Sequence, residues 1–168
     1  MKISLRPFEE NDLLSLKIWA EEIEAQRFMS RILPHKSDQF LNSQESLLAW
    51  YVIRVGDQDV GVVWLEKEAI IDEIAVLGIL IGKNDLLGQG IGGKAINFAI
   101  QKSCDEIRFK TVHVNVRESN TRAICCYKKC GFVEILHDTK LVEGAIVIPF
   151  ITMELKLNQS PNHKEWAS

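Results

Sequence analysis

Four glycines lie close together in the segment LLGQGIGGKA (residues 86–95): Gly88, Gly90, Gly92 and Gly93. They follow the apolar run AVLGILIG and precede the helical pattern KAINFAIQKSC, so the sequence predicts a strand, a tight turn and a helix start. Glycine adopts backbone angles that other residues resist, and the first amides of a helix have no partner within it. Such a turn can bind an anion, above all a phosphate or pyrophosphate, although a plain strand-to-helix connection has the same pattern.

Two common phosphate-binding motifs fit this segment poorly. A dinucleotide fold requires GxGxxG after the first strand, whereas these glycines come halfway along the chain. A phosphate-loop NTPase requires GxxxxGK followed by Ser or Thr, and the stretch from Gly88 to Lys94 is followed by Ala95. The chain therefore has no hydroxyl at the position that would hold magnesium.

A second motif follows about thirty residues downstream, in the helical pattern NTRAICCYKKCGF. Its fixed positions are Asn120, Ala123, Tyr127, Gly131 and Phe132. Together with the glycine turn, this segment resembles the GNAT superfamily of N-acetyltransferases, whose fingerprint is (Gln/Arg)xxGxG(Gly/Ala), then a strand, then NxxAxxxYxxxGF. The ribosomal-protein and aminoglycoside N-acetyltransferases are the members it resembles most. The resemblance is specific between Val76 and Phe132, and Leu87 departs from the fingerprint's Gln or Arg.

The resemblance implies an α/β (α+β) fold with one domain over residues 1–157. Its central sheet is mixed, mostly antiparallel and of about seven strands, is splayed between the fourth and fifth strands, and is flanked by helices. The gap would admit the pantetheine arm of acetyl-coenzyme A (acetyl-CoA), the implied cosubstrate, and no metal is implied. The cofactor-binding residues that the resemblance implies are Leu80, Ile81, Gln89, Gly90, Ile91, Gly92, Gly93, Lys94, Asn120 and Tyr127.

The implied reaction is direct transfer of an acetyl group from the thioester to a primary amine in a ternary complex. Tyr127 matches the motif tyrosine and would protonate the departing thiolate, while a main-chain amide near Leu80 or Ile81 would polarise the thioester carbonyl. An amine is protonated at neutral pH, so a base is also needed. Many relatives carry Glu where this chain has Val76; the nearest acidic candidate is Glu73, whose other interpretation is a solvated strand end.

The sequence leaves the identity of the acetyl acceptor open. The leading hypothesis is a small-molecule amine, and the alternatives are a protein N-terminus or a non-catalytic acyl-CoA-binding module. Residues 26–46 would shape acceptor specificity, but their pattern is poor. The acidic helix face that carries Glu21, Glu22 and Glu24 is interpreted as solvated, with an acidic rim for a cationic acceptor as the alternative.

The elements that must position these residues follow from periodicity and turn signals. The predicted strands are Lys2–Phe8, Trp50–Val55, Val60–Glu66, Ile70–Gly82, Thr111–Val116, Phe132–Leu136 and Ala145–Leu157. The predicted helices run from Asn11 or Asp12 to about Ala25, from Lys94 to Ser103, and from Asn120 to a left-handed end at Gly131. Residues 158–168 are predicted to be a disordered tail.

Composition sets the remaining expectations. The chain has 168 residues, 46% hydrophobic and 26% charged, with a net charge of −3. These values indicate a cytoplasmic globular protein with no nucleic-acid or membrane partner, and they leave a homodimer open. The four cysteines lack metal-ligand spacing and are interpreted as reduced, structural thiols: Cys104, Cys125, Cys126 and Cys130.

Overall fold

The structure is a computed structural model that describes residues 1–39 and 47–158. Its strands are β1 (Ile3–Pro7), β2 (Leu48–Val55), β3 (Gln58–Glu66), β4 (Ile74–Ile81), β5 (Thr111–Arg117), β6 (Val133–Val142) and β7 (Ile146–Lys156). Its α-helices are α1 (Asp12–Glu22), α2 (Ile91–Ser103) and α3 (Thr121–Lys129). Short 3₁₀ turns cover Ala25–Arg27, Ser37–Gln39 and Asn84–Leu86. Residues 40–46 and all of the predicted tail (residues 158–168) except Asn158 lie outside the described residues.

The seven strands form one sheet in the order β1-β2-β3-β4-β5-β7-β6. Only β4 and β5 are parallel, and their register covers three pairs, from Ile74 opposite Thr111 to Val76 opposite His113. Beyond Val76 the two strands separate, although β4 continues to Ile81. The predicted mixed sheet with a gap between the fourth and fifth strands is therefore confirmed.

Two apolar clusters cover the two faces of the sheet. On one face α2 buries Ala95, Ile96, Ala99 and Ile100. On the other face Leu16 packs within a cluster formed by α1, β2, β3 and β4, and a set of aromatic side chains from α1, β2 and β3 belongs to it. That set contains Trp19, Trp50 and Trp64, which are each at most 5% exposed. These tryptophans therefore belong to the core.

The predicted start of β4 is wrong by four residues, since the strand begins at Ile74 rather than at Ile70. Residues 70–73 form a bend, and Ile71 is 88% exposed. The Lys67 ammonium lies beneath this bend and donates hydrogen bonds to the carbonyls of Ile70 (2.7 Å) and Asp72 (3.0 Å). These hydrogen bonds hold the chain in the bend, and the strand begins only at Ile74.

Two other predicted boundaries also move. Helix α1 ends at Glu22 rather than near Ala25, because Glu24 has a left-handed backbone with φ +50°. Strand β6 continues to Val142, well past the predicted Leu136, because it pairs with β7 along a hairpin that turns at Glu143 and Gly144. The residues between 136 and 142 are exposed and polar in part, which hid the strand from the sequence pattern.

No α-helix in the described ranges combines the length and apolar character needed to span a membrane.

Candidate functional site

A cavity of about 680 Å³ occupies the gap between β4 and β5. It runs from the glycine turn at the start of α2, past α3, to the segment that follows α1. Its volume lies within the range of ordinary ligand pockets, which is roughly 300–1,000 Å³. The gap is open to both faces of the sheet, so the cavity has two separate walls. Helices α2 and α3 build the first wall, and the region after α1 builds the second.

The glycine turn presents backbone amides to this cavity. Gly90 has φ +79° and precedes the first helical residue, Ile91. The amides of Ile91, Gly92 and Gly93 occupy the first turn, where no carbonyl lies one turn back within the helix. The Lys94 amide already donates to the Gly90 carbonyl at 3.3 Å. This arrangement offers three converging donors and the positive end of the helix to an anion.

The main chain of β4 presents a second set of polar groups. The Gly82 amide donates to Val60 on β3, and the Glu73 carbonyl accepts from β5. Backbone groups alternate between the two neighbours of a strand, so the groups of Leu80 are directed towards β3. The same alternation directs those of Ile79 and Ile81 into the gap, where β5 no longer pairs. Of the two predicted amide positions, Ile81 therefore faces the gap and Leu80 does not.

Helix α3 lies beside the glycine turn and completes the first wall of the cavity. Its first turn is capped by the Asn120 side chain, which accepts from the Ala123 amide at 3.3 Å. Tyr127 is 7% exposed, lines the cavity and packs edge-on against Phe132 with ring centroids 5.7 Å apart. Burial raises the pKa of the Tyr127 phenol, so the hydroxyl keeps its proton at neutral pH.

Two thiols link α3 to the glycine turn. The Cys130 sulfur lies 3.8 Å from the Gly93 carbonyl, and a β-carbon at Gly92 would lie 3.5 Å from the Cys126 sulfur. A hydrogen bond from the Cys130 thiol lowers the pKa of Cys126. The same bond and burial raise the pKa of Cys130. All four cysteines are free thiols in the structure.

Most of the predicted site residues meet at this cavity. Its wall contains Leu80, Ile81, Gly90, Ile91, Gly92, Gly93, Lys94, Asn120 and Tyr127. Gln89 is not part of the wall; it is exposed, and its side-chain amide donates to the Asp85 carbonyl. The structure therefore brings together the two sequence motifs, which are separated by strand β5 in the chain.

The predicted base is not brought to the cavity. The Glu73 side chain is 63% exposed and forms an ion pair with Lys110 at 2.7 Å. It precedes the paired end of β4, whereas the gap opens at the other end of that strand. At about 3.3 Å per residue, roughly 20 Å of strand separate Glu73 from Ile79. This placement corresponds to the other interpretation of Glu73, a solvated strand end.

The second wall was not predicted from the sequence. It contains Arg31, His35, Arg117 and Lys140, which come from the segment after α1 and from strands β5 and β6. Arg117 continues the alternating strand TVHVNVR, and that periodicity could have placed it on the same face as Asn115. Arg31 and Lys140 carry no local signal, since only the tertiary fold brings them together.

The acidic helix face is separate from the cavity. Glu21, Glu22 and Glu24 are exposed, and none of them lines the wall. Glu22 lies 3.6 Å from Lys83, and Glu24 lies 2.7 Å from Arg27. The prediction of a solvated face is confirmed, and these carboxylates do not form a rim of the cavity.

Several solved structures share this fold. A ribosomal L7/L12 alpha-N-protein acetyltransferase in complex with coenzyme A has a TM-score of 0.78 at 14% identity, with 94% of this chain and 95% of that chain covered. Spermidine N-acetyltransferase from Vibrio cholerae, in complex with CoA and spermine, has a TM-score of 0.73 at 18% identity and coverages of 92% and 95%. An aminoglycoside acetyltransferase in complex with coenzyme A has a TM-score of 0.70 at 19% identity, also covering 92% and 95%.

No curated protein sequence matches the chain. The sequence model of the acetyltransferase (GNAT) domain, however, matches residues 2–133, which include both motifs and the whole glycine turn. That match covers well over half of the chain. Combined with the splayed seven-stranded sheet, it shows that this chain belongs to the GNAT acetyltransferase domain family.

Proposed function

We propose that this protein is an N-acetyltransferase that transfers the acetyl group of acetyl-CoA to the primary amine of a small molecule. The observation that carries the proposal is the single cavity that joins the glycine turn, the gap in the sheet and Tyr127. Family membership and neighbours that were solved with coenzyme A support the same donor.

The residues of the cavity fit this donor substrate. The amides of Ile91, Gly92 and Gly93 would hold its pyrophosphate, and the nearby ammonium groups of Lys94 and Lys129 on the same wall add positive charge. The backbone groups of Ile79 and Ile81 lack a strand partner across the gap and need one. The amides of the pantetheine arm can supply it.

The transfer then follows from these placements. The donor supplies the acetyl group as a thioester. The amine nitrogen attacks the carbonyl carbon, so that a C–N bond forms and the C–S bond breaks. The Ile81 amide stabilises the negative charge that develops on the carbonyl oxygen. The proton lost by the amine passes to solvent in the cavity, Tyr127 donates its proton to the leaving sulfur, and the Tyr127 phenolate regains a proton from solvent.

The test is release of the free thiol from acetyl-CoA by purified protein, with polyamines, aminoglycosides, amino acids and N-terminal peptides as acceptors. Turnover with a small amine supports the proposal. A preference for peptides would favour a protein N-terminus as acceptor. Binding of acetyl-CoA without turnover of any amine would favour the non-catalytic module.

The role of Tyr127 is tested with Tyr127→Phe, which removes only the hydroxyl. We expect kcat to fall about 100-fold, within the range for loss of a general acid, while the Kd of CoA is unchanged in calorimetry. The matched control is Glu73→Gln, for which we expect unaltered kcat and an unaltered pH–rate profile because Glu73 lies outside the cavity. Full activity of Tyr127→Phe would remove the assignment of Tyr127 as the acid.

A further inference from the structure

The charge of the cavity wall points to the kind of amine that binds there. Among the described residues that line the cavity, none is Asp or Glu. The wall does contain six Lys and Arg side chains: Arg31, Lys94, Arg117, Arg122, Lys129 and Lys140. Lys94 and Lys129 lie beside the glycine turn, where the phosphates of the donor need positive charge. The cations of the other wall have no phosphate of the donor beside them, so a different ligand group must account for their presence.

Arg31, Arg117 and Lys140 form the cationic group of that second wall, and their charges are compensated to different degrees. Arg31 forms an ion pair with the buried Glu66 at 3.0 Å. Arg117 donates to the main-chain carbonyls of Gln26 (2.9 Å) and Met29 (3.3 Å), which position it but do not neutralise it. Within the part of the chain that the structure describes, neither Arg117 nor Lys140 has a carboxylate partner.

Lys140 is one of the two cations of this group that have no carboxylate partner among the described residues. It is half-buried, and its ammonium lies 5.8 Å from the centre of the Phe150 ring on the cavity wall. Burial lowers the pKa of Lys140, and the neighbouring charges of Arg117 and Arg31 lower it further. Like charges that are held together in a partly desolvated wall repel one another. An anion bound between them would remove that repulsion.

We propose that the acetyl acceptor is an amine that also carries an anionic group, a carboxylate or a phosphate, which Lys140 and Arg117 bind on the wall opposite the glycine turn. This inference rests on the proposed function. The same positive charge disfavours polyamines and aminoglycosides, because every additional ammonium would meet Arg31, Arg117 and Lys140 without an acidic partner among the described residues of the wall. The anion would thus orient the acceptor, leaving its amine directed to the gap.

The experiment compares matched acceptors with and without the anionic group, with kcat/KM expressed per unprotonated amine because the two members of a pair differ in the pKa of the amine. The pairs are glycine with glycinamide and phosphoethanolamine with ethanolamine, and spermidine and kanamycin serve as polycations. We expect kcat/KM to be at least about tenfold higher for the anionic member of a pair, as for loss of a hydrogen bond to a charged group. The glycine and phosphoethanolamine arms distinguish a carboxylate from a phosphate.

Lys140→Gln tests the residue itself. We expect it to lower kcat/KM for the preferred anionic amine about tenfold more than for the neutral partner, mainly through KM. Binding of the anionic amine to the protein with CoA, measured by calorimetry, should weaken in parallel. Lys156→Gln is the control, since Lys156 is 79% exposed and lies outside the cavity wall.

The outcomes separate the two claims. Turnover that favours neutral or polycationic amines would overturn this inference and leave the proposed function standing. An equal effect of Lys140→Gln on both members of a pair would also overturn it. Acetyl-CoA binding without turnover of any amine would reject the proposed function and the inference with it.

Discussion

The conformation of Gly90 provides a quantitative test of the donor site. This residue has φ +79° immediately before α2, and a β-carbon built there would have no protein atom within 4 Å. The cost of Gly90→Ala within the protein is therefore conformational rather than steric. A left-handed backbone costs a residue with a β-carbon roughly 1–2 kcal/mol.

That cost must appear in one of two measurements. If the free turn keeps its conformation, the free energy of unfolding falls by the full amount. If the turn relaxes when free and is restored by CoA, the cost appears as weaker binding, about 5- to 30-fold in Kd. The two losses together should total roughly 1–2 kcal/mol, and they can be measured by urea unfolding and by calorimetric titration with CoA.

Two further variants separate strain from contact with the ligand. Gly90→Asn should cost less than Gly90→Ala, because Asn tolerates the left-handed region, whereas a steric clash with CoA would make the larger Asn worse. Gly144→Ala is the matched control: Gly144 has φ +77°, a β-carbon added there would meet nothing within 4 Å, and it lies outside the cavity wall, so the variant should lower stability and leave CoA affinity unchanged. If Gly90→Ala changes neither stability nor CoA affinity, the turn does not hold the donor in the conformation described.

Two more predictions concern titrating groups. The pKa of Cys126 is lowered by its hydrogen bond from Cys130, whereas burial raises the pKa of Cys104. Iodoacetamide at pH 7 should therefore alkylate Cys126 faster than Cys104. Bound CoA should protect Cys126 from alkylation, because Cys126 lines the cavity. Labelling of Cys126 at the same rate with and without CoA would contradict this. Arg6 lowers the pKa of Asp12, so the ion pair stabilises the fold above the unfolded pKa near 3.9 and this stabilisation is lost as pH falls through the native value. Asp12→Asn should cost about 1–3 kcal/mol at pH 7 in urea unfolding, and a difference from wild type that persists undiminished at pH 2 would refute the ionic origin.

The donor half of the site could be predicted because its structure is local. A glycine with positive φ, a side-chain N-cap at Asn120 and a left-handed end at Gly131 are each determined by residues within one turn of the chain. The spacing between the two motifs then leaves room for one strand. Glu73 shows where such reasoning fails. Each residue of a strand adds about 3.3 Å along its axis, so a residue that is close to Val76 in sequence can still lie outside the gap, as Glu73 does.

The acceptor half could not be predicted because its determinants are a property of the assembled sheet. Arg31 lies in an irregular segment, Arg117 at the end of β5 and Lys140 in a strand that the pattern did not reveal. The net charge of −3 gives no indication of a basic wall, since Glu21, Glu22 and Glu24 are turned to solvent while Arg31, Arg117 and Lys140 line the cavity. A local potential depends on where charges are placed and not on their sum. A chain that is acidic overall can therefore select an acidic acceptor, and the matched amine pairs measure that selection directly.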